Sequence, residues 1–126
     1  MKLAHLALWT QDLEAAAAFW QNYFDAEVGD RYDSQNRPGF ASRFVQIPGM
    51  EARIEIMTGP WVTQHSGETC GWAHIALSVG SESQVDTFAN RFRPDGLLLS
   101  EPRRTGDGYY EAVVRSPEGT VIEIVE

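Results

Sequence analysis

The chain has 126 residues, 43% of them hydrophobic and 11% aromatic, which is enough for one domain with a substantial buried core. Ten Lys and Arg against eighteen Asp and Glu leave a net charge of −8, which repels a phosphate backbone or an anionic lipid surface and sets nucleic acid and membranes aside as partners. No run reaches the roughly 18 to 20 apolar residues of a membrane span, the start Met1-Lys2-Leu3-Ala4-His5 lacks the apolar stretch of a secretory signal, and the single Cys70 excludes an intrachain disulfide, so a cytoplasmic, reducing setting is expected.

In chain order, Leu3 to Trp9 reads as a strand with Ala4, Leu6 and Leu8 toward the core and His5, Ala7 and Trp9 on the opposite face. Leu13, Ala16, Ala17, Trp20 and Phe24 then recur at helical spacing, with Thr10 or Asp12 as N-cap. On that helix Phe19, Trp20 and Phe24 serve either the core or an exposed apolar interface. Extended segments follow near 26–33, 40–47 and 51–57, judged from β-branched and aromatic content between Gly and Pro breaks. In the last of them Ile54 and Ile56 bracket Glu55, so the carboxylate faces away from the isoleucines, and Arg53 shares its face as an ion-pair partner or a substrate contact.

Thr63 to Gly71 is polar enough to be a linker, within which His65 is expected to be solvated and Cys70 to be a small buried or half-buried residue. A second strand then places Ala73, Ile75 and Leu77 in the core and His74, Ala76 and Ser78 opposite. Val85, Phe88 and Phe92 mark a second helix, opened by Ser81 or Ser83 and closed by Pro94 and Gly96. Extended segments near 97–103, 109–115 and 120–125 complete the chain, and Glu101 to Tyr110 reads as a Gly-flanked lid. Arg103 and Arg104 are candidates for a substrate carboxylate, with ordinary solvation as the alternative; Tyr109 is a similar candidate.

The order β-α-β-β-β thus occurs twice, and the residues repeat with it. Ala4-His5-Leu6-Ala7-Leu8 returns as Ala73-His74-Ile75-Ala76-Leu77, and Ile54-Glu55-Ile56-Met57 as Ile122-Glu123-Ile124-Val125. His74 lies 69 residues after His5, Pro117 69 after Pro48 and Glu123 68 after Glu55. The expectation is an α+β fold: one domain over 1–126 with internal repeats 1–62 and 70–126, two pseudo-symmetric modules whose sheets curve into a cup.

In such a cup the repeat supplies two imidazoles and two carboxylates. A lone His or Glu is ordinarily a solvated or hydrogen-bonded residue. The same two residue types at matched positions of a repeat instead point to one divalent ion held by His5, Glu55, His74 and Glu123. Mixed nitrogen and oxygen donors suit Ni, Co, Zn, Fe or Mn, and the lack of thiolate opposes a closed structural zinc site. Trp9, on the His5 face, and Trp72, on the His74 face, serve either as apolar walls of the site or as core.

At these residues the sequence resembles the vicinal oxygen chelate superfamily of glyoxalases, bleomycin-resistance proteins and ring-cleaving dioxygenases over its whole length. Within it the chain is most similar to bacterial glyoxalase I, through His5, Glu55, the run from Gly71 to Ser78 and the run from Ser116 to Glu123. The resemblance implies a lyase or isomerase that converts the hemithioacetal of methylglyoxal and glutathione to S-lactoylglutathione through an enediolate. It implies Glu123 and Glu55 as catalytic carboxylates, Glu123 the principal base; Ni or Co as the favoured ion with Zn possible; and a homodimer acting on a small molecule. Relatives with Gln or another residue at the position of Glu55 are epimerases, dioxygenases or fosfomycin-modifying enzymes, and sequestering members lack the ligands. An epimerase or a small-molecule-sequestering protein is therefore the alternative. Two departures stand out: glyoxalase I enzymes commonly carry a glutathione-contacting Arg where this chain has Trp9 and Asn where it has Gly59. Glutathione itself as the thiol is thereby put in question.

Overall fold

The computed structural model describes residues 1–64 and 67–126, so the linker histidine His65 lies outside the described residues. Contacts divide the chain into two compact units, Met1–His65 and Ser66–Glu126. Each is a mixed α+β unit with one helix of three turns on one sheet.

In the first unit the helix α1 (Leu13–Phe24) follows β1 (His5–Trp9). Asp12 is its N-cap: the carboxylate accepts the N–H groups of Glu14 and Ala15 at 3.1 and 2.9 Å, satisfying two of the donors a helix start leaves open. Thr10 is buried and braces the cap instead, its hydroxyl accepting the Asp12 N–H. Leu13, Ala16, Ala17, Phe19, Trp20 and Phe24 are all buried, so the three aromatic residues are core and not an exposed interface. The helix packs on β4 (Ala41–Gln46) and β5 (Arg53–Thr58), whose Val45, Ile54 and Ile56 are likewise fully buried. The strand expected over 26–33 is instead two short strands, β2 (Glu27–Val28) and β3 (Tyr32–Asp33), broken at Gly29, Asp30 and Arg31. The Gly29 carbonyl there accepts from the Arg43 guanidinium. Sheet order is β1-β5-β4-β2, with β3 also on β4, and β1 runs parallel to β5 with Ala7 opposite Glu55.

The second unit repeats the plan with β6 (Ile75–Ser78), α2 (Glu82–Phe92), β7 (Leu98–Arg104), β8 (Tyr110–Arg115) and β9 (Val121–Val125) in the order β6-β9-β8-β7. Again the outer pair is parallel, with Ala76 opposite Glu123. Ser81 caps α2 by accepting the Gln84 N–H, while Ser83 only meets the Ser81 hydroxyl. The buried stripe is Val85, Ala89 and Phe92; Phe88 turns partly to solvent beneath Arg91. Where the first copy breaks into β2 and β3, β7 stays continuous and absorbs the irregularity as register shifts against β8.

Three further expectations change. Ala4 and Ala73 are exposed: β1 and β6 begin only at His5 and Ile75, and Leu6, Leu8, Ile75 and Leu77 carry the inward side. Cys70, expected to be at least half-buried, is exposed. Glu101 to Tyr110 is not a lid, because Glu101 to Arg104 belong to β7 and the remainder is a tight hairpin closed by Thr105 N–H to Tyr109 O at 2.8 Å. Among the described residues no helix is long and apolar enough to cross a membrane.

Candidate metal centre

Each unit builds the same two-residue arrangement. On β1 and β5 burial alternates, with Ile54 and Ile56 fully covered and Glu55 between them facing the other way. Its neighbour across the parallel pair is Ala7, whose methyl leaves room above the carboxylate. His5, two residues earlier on the same face, reaches in diagonally, and its Nε2 lies 3.8 Å from Glu55 Oε2. The His5 ring also meets the edge of Phe44, the residue opposite Glu55 on β4, at 5.7 Å. The second copy matches it. Glu123 faces Ala76 between buried Ile122 and Ile124, and His74 Nε2 lies 3.3 Å from Glu123 Oε2.

The imidazoles are 45% and 43% exposed and the carboxylates 18% and 24%, so each pair is open to a ligand from solvent yet anchored in its sheet. Apart from these contacts and the His5–Phe44 ring contact, none of the four has a hydrogen-bond, ion-pair or ring partner among the described residues. In each unit an imidazole nitrogen and carboxylate oxygens without other engagements are donor types that suit a divalent ion of the Ni, Co, Zn or Mn type. Each unit holds one His–Glu pair, and among the described residues no group of three or more His, Cys, Asp or Glu side chains that could hold a metal ion occurs.

The remaining sequence candidates fall at distinct places. Arg53 lies over Phe44, its guanidinium 4.2 Å from the ring, and forms no ion pair with Glu55 among the described residues. Trp9 shares the His5 face and is 43% exposed; Trp72, two residues before His74, is 84% exposed, so neither is core. Arg103 and Arg104 point to opposite sides of β7. Arg104 holds Glu82 and Glu126 on the helix side, whereas Arg103 pairs with Glu111 at 3.5 Å. Tyr109 is exposed in the β7–β8 turn.

Glu111 is a residue that sequence reading passed over. It lies two positions from Val113, which pairs with Glu123, so it shares the face of His74 and Glu123, and it is 8% exposed. Alternation along β8, with Ala112 and Val114 as core, carried the signal. In the first copy Ser42 occupies the matching place. Elsewhere in the second unit, burial pushes the Glu118 carboxyl above the ordinary carboxylate range. Neither of its oxygens has a hydrogen bond of ordinary length and angle among the described residues, and the weak help of its own N–H and the Ser116 hydroxyl offsets this only in part.

With this geometry in place, comparison with known proteins gives one consistent answer. A chain from Pseudomonas aeruginosa, itself uncharacterised, is 31% identical over 125 residues, covering 96% of this chain and 85% of that one. Among solved structures, a glyoxylase/bleomycin resistance protein/dioxygenase domain from Frankia superposes with a TM-score of 0.85 at 15% identity, covering 99% of this chain and 90% of that one. Glyoxalase I from Zea mays superposes at 0.80 and 19% identity, over 98% of this chain and 44% of the maize chain. A mutant of the fosfomycin resistance protein FosX from Listeria monocytogenes, in complex with manganese(II) and a dihydroxypropylphosphonic acid, reaches 0.74 at 25% identity, over 98% and 90%. The family model that matches, Glyoxalase/Bleomycin resistance protein/Dioxygenase superfamily, runs from residue 2 to residue 124, and the chain belongs to that family.

Proposed function

We propose that the protein is a metal-dependent isomerase of the glyoxalase I type, with His5, Glu55, His74 and Glu123 as the ligands of one divalent ion and Glu123 and Glu55 as its acid–base carboxylates. The observation that carries this reading is the recurrence of one His–Glu pair, opposite an alanine in the same parallel register, in both units. Members of the family act on small molecules, and the FosX complex contains manganese(II). For this chain the favoured ions are Ni and Co, with Zn admissible, and the working form is a cytoplasmic homodimer.

A bound ion would supply stabilisation of the negative charge that develops on the two adjacent oxygens, hydroxyl and ketone, of an α-oxo hemithioacetal. The residues do the rest. His5 and His74 are held by the sheets and exchange no proton. Glu123 takes the proton from the carbon that bears sulfur and returns it to the neighbouring carbon, so that a hemithioacetal becomes a thioester of a 2-hydroxy acid with no net gain or loss of electrons. Glu55, in the matching place, holds the far side of the substrate. Both carboxylates sit in partly covered positions that limit exchange of the travelling proton with water.

The test is to strip the protein of metal, restore Ni, Co, Zn or Mn singly and follow isomerisation of the methylglyoxal–glutathione adduct, with Glu123→Gln as control. Activity restored by metal and lowered at least 1,000-fold in the variant supports the reading. Stoichiometric metal without turnover keeps the ligands and discards glutathione as the thiol; no metal binding removes the proposal.

A further inference from the structure

We infer that the first unit carries a subsite for a planar, π-bearing organic anion, built by Arg37 and the rings of Trp9, Phe40 and Trp61 on the sheet face that also carries His5 and Glu55. Trp9 ends β1 on the His5 side, and its ring meets Phe40 edge to face at 6.1 Å. The loop between β3 and β4 is closed by Ser34 N–H to Phe40 O and Phe40 N–H to Arg37 O, both 3.0 Å, and Arg37 N–H donates to Ser34 Oγ at 3.1 Å. These bonds set the Arg37 guanidinium 4.2 Å from the Trp61 ring and 5.7 Å from both Trp9 and Phe40.

The backbone is shaped to permit this. A Cβ at Gly59 would lie 2.5 to 2.9 Å from atoms of the Trp61 indole, and one at Gly39, where φ is +86°, would lie 2.8 Å from Pro60. Gly59 and Trp9, the two positions at which the sequence departs from a glutathione-binding pattern, thus both serve the aromatic cluster.

The charge of Arg37 is uncommitted. Arg31, Arg43, Arg93, Arg103 and Arg104 each hold a carboxylate, whereas Arg37 has none among the described residues, in a chain of net charge −8. A guanidinium stacked on an indole keeps its edge of N–H donors free and pre-oriented for a carboxylate or phosphonate. Trp9 and Trp61 are 43% and 41% exposed and offer flat apolar surface beside it. A cation would meet the Arg37 charge, and an aliphatic anion would leave the rings unused. Along β1 the distance from Trp9 back to His5 is about 13 Å, and Glu55, opposite Ala7, is about half as far, so a ligand anchored here needs a reach of that order to meet the His–Glu pair. Its role as the holder of the substrate's tail rests on the isomerase reading; the binding itself does not.

The probe is 2-naphthoate, titrated calorimetrically into the whole protein in the presence of chelator, with cyclohexanecarboxylate and tetramethylammonium as comparators. The expected result is that 2-naphthoate binds at least tenfold more tightly than cyclohexanecarboxylate and that the exposed substitution Arg37→Gln weakens it at least tenfold with an unchanged circular dichroism spectrum. Gly59→Ala, which pushes Trp61 aside, weakens it as well. Equal binding of the two acids, indifference to Arg37→Gln, or preference for tetramethylammonium overturns the inference. Because the titration is done without metal, failure of the metal-dependent assay leaves its outcome intact, and the reverse also holds.

Discussion

Ala7 and Ala76 matter because of what they leave uncovered. Each stands opposite a proposed ligand carboxylate, Glu55 or Glu123, on an exposed strand position. Ala7→Leu or Ala76→Leu is expected to lower metal affinity at least tenfold by laying an isobutyl group over the carboxylate, with the melting temperature shifted by no more than about 2 °C because no core contact is lost. Metal titration and a thermal scan of each variant check both parts. Glu118 gives the opposite case, a residue whose cost is in stability. Its folded-state pKa is raised by burial, so folding takes up a proton. The stability this provides is fully present below the ordinary value of 4.5 and is lost as pH rises through the raised one. Glu118→Gln is expected to melt higher than wild type at pH 7.5 and to lose that part of the pH dependence between 4.5 and 7.5, read from melting curves. The two His–Glu pairs were legible in sequence from alternation and repetition. The burial of Glu118 was not, since the turn from Ser116 to Thr120 that tucks it in is a matter of backbone path.

Helix α1 shows what local pattern specifies. Asp12 caps it and six residues of one stripe bury it, so Asp12→Ala is expected to cost about 1 kcal/mol. Trp20→Ala is expected to cost about 3 to 5 kcal/mol. The indole N–H of Trp20 has no hydrogen-bond partner among the described residues, so Trp20→Phe, which removes an unsatisfied donor and keeps the ring, costs less than Trp20→Ala in a denaturant titration. Both helices were readable at nearly their observed limits because amphipathic spacing and side-chain caps are written locally. The short strands were not. Residues 26–33 have extended composition, yet ladder pairing with β4 is confined to Glu27–Val28 and Tyr32–Asp33, with one further bond from Gly29 N–H to Phe44 O. Glu101 to Arg104 carry the charge of a loop but belong to β7, where Arg103 and Arg104 pair with Glu111 and Tyr110 of β8. Cross-strand pairing decided both, and composition does not encode it.

For the molecule as a whole, the repeat is the most informative feature of the sequence: a spacing of 68 to 69 residues implies that each half contributes one histidine and one glutamate. If the proposed ion needs both, saturation at 100 times its dissociation constant stabilises the protein by about 2.7 kcal/mol. His5→Ala and His74→Ala are then each expected to abolish most of the metal-induced rise in melting temperature rather than half of it. What the repeat does not convey is substrate choice. Arg37 and Trp61 lie in loops, outside any periodic pattern, and only the folded chain brings the Arg37 guanidinium to the rings of Trp61 and Trp9.

The parallel pairing of β1 with β5, and of β6 with β9, has a bearing on how the protein comes into being. The antiparallel hairpins β4–β5 and β8–β9 need only local chain, but His5 and Glu55 are 50 residues apart and His74 and Glu123 are 49 apart. Each histidine is therefore synthesised long before its carboxylate and waits, unplaced, until the last strand of its unit arrives to receive it. On the ribosome, a chain halted within either copy would have the imidazole without the pair, so the appearance of the His–Glu pair marks the completion of that copy's sheet.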